Sequence, residues 1–186
     1  GVLVRFEDQT LTMAAADGFR LAVRTGPLEE PVPERLEVIV PARAMRELSR
    51  IIGDHADPIR LAITPNRNQL LVRVDDTEFL SRLIDGTFPD FRQIIPREFN
   101  TKLDVGRDAF LNAVRRASYF ARDNNDVVLI QIHSGEEEFM PGTIEISATA
   151  AERGISQSFV DATITGPDGQ IAFNSKYLSD VLNVLR

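Results

Sequence analysis

Three arginines recur along one predicted helix at a spacing that suits phosphate binding. Arg43, Arg46 and Arg50 stand at positions i, i+3 and i+7, so a helix brings them to one face. The apolar residues of the same segment fall on another face, which is expected to pack against a core. Arginines on an exposed face bind phosphate oxygens without reading base sequence. An ordinary solvated helix face shows the same pattern, and the residues alone leave both interpretations open.

The overall charge limits what such a face can do. The chain has 186 residues, a formal net charge of -7 and 43% hydrophobic residues, which is a typical globular composition. A protein that holds nucleic acid by simple electrostatic adhesion is usually basic. A nucleic-acid role must therefore come from a local patch, or from the geometry of the assembly.

The remaining reactive side chains do not form a catalytic or metal-binding pattern. The sequence has no cysteine, which excludes disulfides and thiolate chemistry and fits a reducing compartment. His55 and His133 have no partner at ligand spacing and are predicted to lie on the surface. The acidic residues at 75–76 and 136–138 are predicted to lie in turns or loops without a paired base. The sequence therefore predicts a protein that is not an enzyme and has no cofactor.

A sequence repeat occurs three times in the chain, and its elements must position these side chains. The copies cover residues 38–52, 103–117 and 171–185 and start about 65 residues apart. In each copy the apolar residues first alternate and then fall three and four apart, which predicts a strand that leads into a helix. The predicted helices lie near residues 42–52, 107–120 and 175–185. A repeat of this length is typical of duplicated subdomains.

Groups of three strand-like runs precede and separate the copies. The runs are short, rich in Val, Ile, Leu, Phe or Thr, and bounded by turn residues such as Asp17 and Gly18. Short connections favour antiparallel pairing. The sequence therefore predicts an α+β fold of repeated strand-helix-three-strand units, with antiparallel sheets backing the helices.

A linker is predicted near residues 88–101, where Pro89 and Pro96 interrupt the periodicity. The predicted domains are residues 1–96 and 97–186. From the phase of the repeat, the first is expected to lack its opening strand and helix, and the second its closing strands. Open sheet edges and an apolar helix stripe invite pairing, so the chain alone is expected to self-associate. The stripe expected to be exposed comprises Leu178, Val181, Leu182 and Leu185.

Three segments resemble one protein family. Residues 15–23 (AADGFRLAV) are similar to the TDGHRLA segment of bacterial beta sliding clamps, the processivity factors of DNA polymerase III. Residues 83–91 (LIDGTFPDF) resemble the family's VDGRFPDY, and residues 173–182 (FNSKYLSDVL) resemble its FNVSYVLDVL. The segments occur in the family's order and span nearly the whole chain.

The resemblance implies a DNA clamp fold and a role on DNA. Clamp protomers have three similar domains, and two protomers close head-to-tail into a homodimeric ring around duplex DNA. This chain would supply most of the second domain and the first part of the third. Helices line the hole of such a ring and meet phosphates loosely. The DNA-facing residues implied here are Arg43, Arg46, Arg50, Arg115 and Lys176.

The resemblance also implies a peptide-binding pocket near the junction of the second and third domains. The matching positions are Gly18, Arg20, Leu21, Pro89, Ile94, Asn174 and Tyr177. Glycine lets a ligand approach the backbone closely, and the aliphatic residues offer apolar surface around orienting donors. The sequence departs from the family at Ala16 and Phe19, where many clamps have Thr and His. These departures bear on which peptide motif is preferred.

The leading hypothesis is a non-catalytic, cytoplasmic sliding clamp of the bacterial replicase. Its partners would be duplex DNA, the replicative polymerase, the clamp loader and other proteins with a clamp-binding motif. The alternative is a duplicated α+β protein-interaction scaffold without a DNA role. The arginines of the first helix discriminate, because a clamp requires them to be exposed and on one concave surface with the second helix, and a scaffold does not.

Overall fold

The computed structural model describes residues 1–135, 142–151 and 154–185. The chain divides into two compact units, Gly1–Ile95 and Pro96–Arg186. Each unit combines antiparallel strands with one or two helices, and each has its own hydrophobic core. The acidic run at 136–138 lies outside the described residues.

The first unit contains seven strands, one α-helix and one short 3-10 helix. Its strands are β1 (Val2–Glu7), β2 (Thr10–Ala16), β3 (Leu21–Pro27), β4 (Leu36–Val40), β5 (Arg60–Ile63), β6 (Gln69–Val74) and β7 (Thr77–Arg82). Helix α1 (Ala42–Ile52) follows β4, and the 3-10 helix covers Phe91–Gln93. The strands form a four-stranded sheet in the order β3-β2-β1-β4 and a three-stranded sheet in the order β5-β6-β7.

Alternation along β1 gives the first unit apolar contacts on both faces of its four-stranded sheet. Val4 and Phe6 belong to the main core, which also contains Leu48 of α1 and residues of β4 and β6. Leu3 points to the opposite face, because successive side chains of a strand alternate. There it joins a smaller group, the outer cluster, comprising Leu3, Ala14, Phe91, Leu21 and Phe88. The outer cluster attaches the segment after β7 to the sheet.

The second unit is one five-stranded antiparallel sheet with two helices. Its elements are β8 (Lys102–Val105), α2 (Arg107–Ala121), β9 (Val127–His133), β10 (Gly142–Ala150), β11 (Gly154–Thr165), β12 (Gly169–Asn174) and α3 (Ser175–Val184). The sheet order is β12-β9-β10-β11-β8. Ala113, Val114 and Ala117 of α2 are fully buried against it, because small side chains let the helix approach the strands closely.

The predicted α+β fold with antiparallel sheets is confirmed, and the three helices lie within a few residues of their predicted bounds. Strand β3 begins at Leu21, two residues after Phe19. The reason is local: the Asp17 side chain accepts hydrogen bonds from the backbone N–H groups of Phe19 and Arg20, which closes a turn there. Among the described helices, none is long and apolar enough to cross a membrane.

The expected exposure of the α3 stripe is wrong for half of its members. Leu182 is 6% exposed, and Leu178 packs against the same core, because α3 lies beside α2. Val181 and Leu185 remain 45% and 50% exposed. The apolar surface left for self-association on this helix is therefore smaller than the sequence predicts.

Candidate functional site

The arginine face of α1 is exposed. Arg43, Arg46 and Arg50 are all open to solvent, while Leu48 on the other side of the helix is buried in the main core. The apolar stripe therefore holds the helix against the sheets and turns the guanidinium groups outward. This is the arrangement that a phosphate-binding face requires.

Glu47 modifies the charge of this face without cancelling it. Its Oε1 accepts a hydrogen bond from Arg50 Nε at 3.0 Å. The pKa of the Glu47 carboxyl lies below its ordinary value, chiefly because of that hydrogen bond, with a smaller contribution from the charge of Arg43. Three arginines and one glutamate leave a charge of +2 on the face. An exposed pair of this kind is weak, so a phosphate can compete for Arg50.

The two cations of the second unit differ in their surroundings. Arg115 Nη2 donates to Asn183 Oδ1 at 2.7 Å, and this partner is neutral, so the hydrogen bond does not offset the charge of Arg115. Lys176 Nζ lies 2.6 Å from Asp126 Oδ2, an ion pair formed across 50 residues of sequence. The ion pair makes Lys176 a weaker candidate for phosphate binding than Arg115.

The turn from Asp17 to Leu21 presents three of the seven residues predicted to bind a peptide. Gly18 is exposed, and no atom lies within 4 Å of the position that a Cβ would take, so the space above it is open. Arg20 Nε donates to Asp17 Oδ2 at 3.0 Å, which fixes the direction of the Arg20 side chain. Leu21 is half-buried in the outer cluster.

The segment after β7 presents two more of the residues predicted to bind a peptide. Pro89 is exposed, and Ile94 is 65% exposed, which is unusual for so apolar a side chain. Between them Asp90 caps the 3-10 helix by accepting from Arg92 N–H at 3.2 Å, and Phe91 is 5% exposed. Because Phe91 and Leu21 share the outer cluster, the structure brings both segments of the first unit together.

The last two residues of the predicted peptide site, Asn174 and Tyr177, lie at the start of α3 in the second unit. Asn174 is the N-cap residue, and its Oδ1 accepts from the backbone N–H groups of Lys176 at 3.0 Å and Tyr177 at 3.2 Å. This cap satisfies two N–H groups that the helix leaves without an internal partner. Asn174 thus sets the position of Tyr177, which is half-buried in the first turn.

Acid should loosen the turn that carries Gly18 and Arg20. The pKa of Asp17 is lowered by the N–H of Phe19 first and by the Arg20 side chain next. A carboxyl whose folded pKa is depressed stabilises the fold above its unfolded pKa of about 4, and that contribution disappears as pH falls through the folded value. We expect the amide signals of Phe19 and Arg20 to shift below about pH 4 in NMR spectra. In the Asp17→Asn variant, which cannot titrate, an identical pH response would contradict this.

The pairing of His55 was not predicted. Its Nδ1 lies 3.5 Å from Asp75 Oδ2, and its side chain is 17% exposed, so His55 is less exposed than the predicted surface position. The two residues are 20 positions apart, and no sequence motif links them. Within the described ranges, no group of three or more His, Cys, Asp or Glu side chains could hold a metal ion.

Two family models account for nearly the whole chain. The central domain of the DNA polymerase III beta subunit matches residues 1–90, and the C-terminal domain of the same subunit matches residues 92–186. The chain belongs to the DNA polymerase III beta subunit family. Its two structural units correspond closely to the two matched ranges of that family.

Individual relatives give the same family. A beta sliding clamp from Staphylococcus aureus is 34% identical over 186 residues, which is 100% of this chain and 47% of the relative. The crystal structure of the Bacillus subtilis sliding clamp is 34% identical with a TM-score of 0.91, over 100% of this chain and 47% of that one. The chain thus spans about half the length of the curated relatives it matches.

A third relative was solved with a ligand. The crystal structure of a Pseudomonas aeruginosa sliding clamp bound to griselimycin is 27% identical, with a TM-score of 0.88, over 100% of this chain and 48% of that one. Together with the Bacillus subtilis structure, it places the fold of both units in the clamp family.

Proposed function

We propose that this chain supplies the central and C-terminal domains of a sliding clamp. In this role it is a non-catalytic, cytoplasmic part of a homodimeric ring that encircles duplex DNA and tethers the replicative polymerase for processive synthesis. The domains proposed are residues 1–96 and 97–186. The names of its relatives favour this role over that of a protein-interaction scaffold without DNA.

The exposed arginine face of α1 carries the DNA part of the proposal. Arg43, Arg46 and Arg50 offer a charge of +2 after Glu47 is counted, in a chain with a net charge of -7. Arg115, with its neutral partner, adds to this set, and Lys176 contributes less because of Asp126. Few phosphate contacts on an acidic protein give weak, sequence-independent attraction, which permits sliding. Retention then depends on the ring and not on adhesion.

The seven peptide-site residues carry the partner part of the proposal. We assign the residues of each unit to the binding of the peptide motif that polymerase, clamp loader and other clamp-binding proteins present in turn. Leu21, Pro89 and Ile94 offer apolar surface to its large side chains, and Gly18 leaves room for its backbone. Arg20, Asn174 and Tyr177 supply polar groups that orient it. Griselimycin, the ligand of the Pseudomonas aeruginosa relative, is the probe we propose for the same residues.

The topology of the DNA decides between a ring and a simple DNA-binding protein. A full-length clamp that carries these domains is loaded on nicked circular duplex DNA and separated from free protein by gel filtration. We expect it to stay on the circle at moderate salt and to leave when one restriction cut makes the DNA linear. Equal retention on circular and linear DNA would contradict encirclement, because a protein bound by surface contacts does not sense the cut.

A further inference from the structure

An arginine is buried beneath the segment that carries Pro89 and Ile94. Arg5 lies in the middle of β1 and is 8% exposed. Lys and Arg side chains are rarely buried to this extent unless they are paired. Arg5 shares a strand face with Leu3, so its side chain lies on the side of the outer cluster.

Its contacts join the sheet to the 3-10 helix. Arg5 Nε donates to Glu37 Oε1 at 2.6 Å, which connects β1 to β4. The guanidinium carbon lies 5.9 Å from the centre of the Phe91 ring, within the range of a cation–π contact. Phe91 also meets Phe88 edge to face, with ring centres 6.5 Å apart. The charge of Arg5 therefore acts on Phe91, and Pro89 and Ile94 lie on either side of the 3-10 helix that begins with this residue.

This arrangement leaves one donor of a buried cation without a partner in the described structure. Arg5 Nη1 is buried and has no hydrogen-bond partner among the described residues, which is costly for a charged donor. Glu37 is also bound by the exposed Arg35, whose hydrogen bond is the main cause of its lowered pKa. The carboxylate would thus keep a cation without Arg5. Apolar residues of similar volume often replace buried ions without loss of stability.

We infer that Arg5 is a positioning residue for the partner peptide, acting through Phe91. It holds the 3-10 helix in the place where Pro89 and Ile94 face the same ligand as Gly18 and Leu21. This inference rests on the proposed peptide-binding role. It assigns to Arg5 a part in affinity that does not require contact with the peptide.

The test separates affinity from stability. Arg5→Met is made in a full-length clamp carrying these domains, and griselimycin binding is measured by calorimetry beside the midpoint of thermal unfolding. We expect affinity to fall by about threefold to tenfold, the size of one cation–π contact, with an unchanged or higher midpoint. Arg35→Met is the matched control, because it removes a second arginine from the same carboxylate, and it should leave affinity unchanged.

A double-mutant cycle with Phe91→Leu shows whether Arg5 acts through the ring. If it does, Arg5→Met has little further effect on affinity once the ring is gone. Arg5→Lys, which keeps the charge, should restore part of the affinity and gives a reading even if the methionine variant folds poorly. Wild-type affinity in both Arg5 variants, or additive effects in the cycle, would overturn the inference while the peptide site stands. Failure of the unsubstituted protein to bind griselimycin would overturn the peptide site, and this inference with it.

Discussion

Replacing Arg43, Arg46 and Arg50 together with alanine is expected to shorten the retention of the ring on circular DNA and to weaken its salt dependence. Each phosphate contact contributes close to one unit to the slope of log affinity against log salt, so the slope should fall by about two to three units. All three residues are exposed on α1, while the buried stripe of the helix is unchanged, so the fold should persist. Retention is measured by gel filtration across a salt series.

Two controls separate local charge from net charge. Arg24, Arg60 and Arg73 are also exposed but lie on β3, β5 and β6, so replacing them with alanine removes the same charge elsewhere. This variant should keep the wild-type salt slope. Glu47→Gln should lengthen retention, because it releases Arg50 from its ion pair. If both triple variants behave alike, the arginines of α1 have no special place near DNA.

Tyr177→Ala is expected to lower griselimycin affinity about thirtyfold or more, the size typical of a central anchor residue. Its position is fixed by the Asn174 cap, so the loss reflects the side chain and not a displaced helix. The preceding residue in the chain, Lys176, offers a reciprocal control. Lys176 pairs with Asp126, and Lys176→Ala should leave griselimycin affinity unchanged while shortening DNA retention slightly.

We thus expect two adjacent residues to serve different activities, Lys176 in DNA retention and Tyr177 in peptide binding. Tyr177→Ala should in turn leave DNA retention unchanged, and calorimetry with gel filtration measures both properties on the same samples. A loss of griselimycin affinity in both variants would point to general damage at the start of α3. Unchanged affinity in Tyr177→Ala would remove this tyrosine from the peptide site.

Elements were predictable wherever one face of the chain is apolar. The period of α1 and α2 follows from which side chains must leave water, and the predicted bounds of these helices are close to the observed ones. The exposed arginine face of α1 was predictable for the same reason, since residues opposite a buried stripe must point outward.

Pairings across long stretches of sequence were not predictable. The ion pair of Lys176 with Asp126 and the pairing of His55 with Asp75 depend on how separate elements meet. The burial of Arg5 is a similar case, because alternation on β1 gives the face of a residue but not what covers it. The burial of Leu182 was also not predictable. It results from the packing of α3 beside α2, a tertiary contact that the sequence of one helix does not reveal.

The cap of α3 also shows how far the three copies of the strand-helix repeat have diverged. Aligned without gaps, Pro41, Gly106 and Asn174 occupy one column, and each is the N-cap residue of its helix. In the described structure, only Asn174 of the three caps its helix through a side chain. A duplicated element can specialise one copy while the others keep only the shared geometry. We therefore expect exchange of this residue among the copies to be tolerated at Gly106 and harmful at Asn174, where one side chain orients Tyr177.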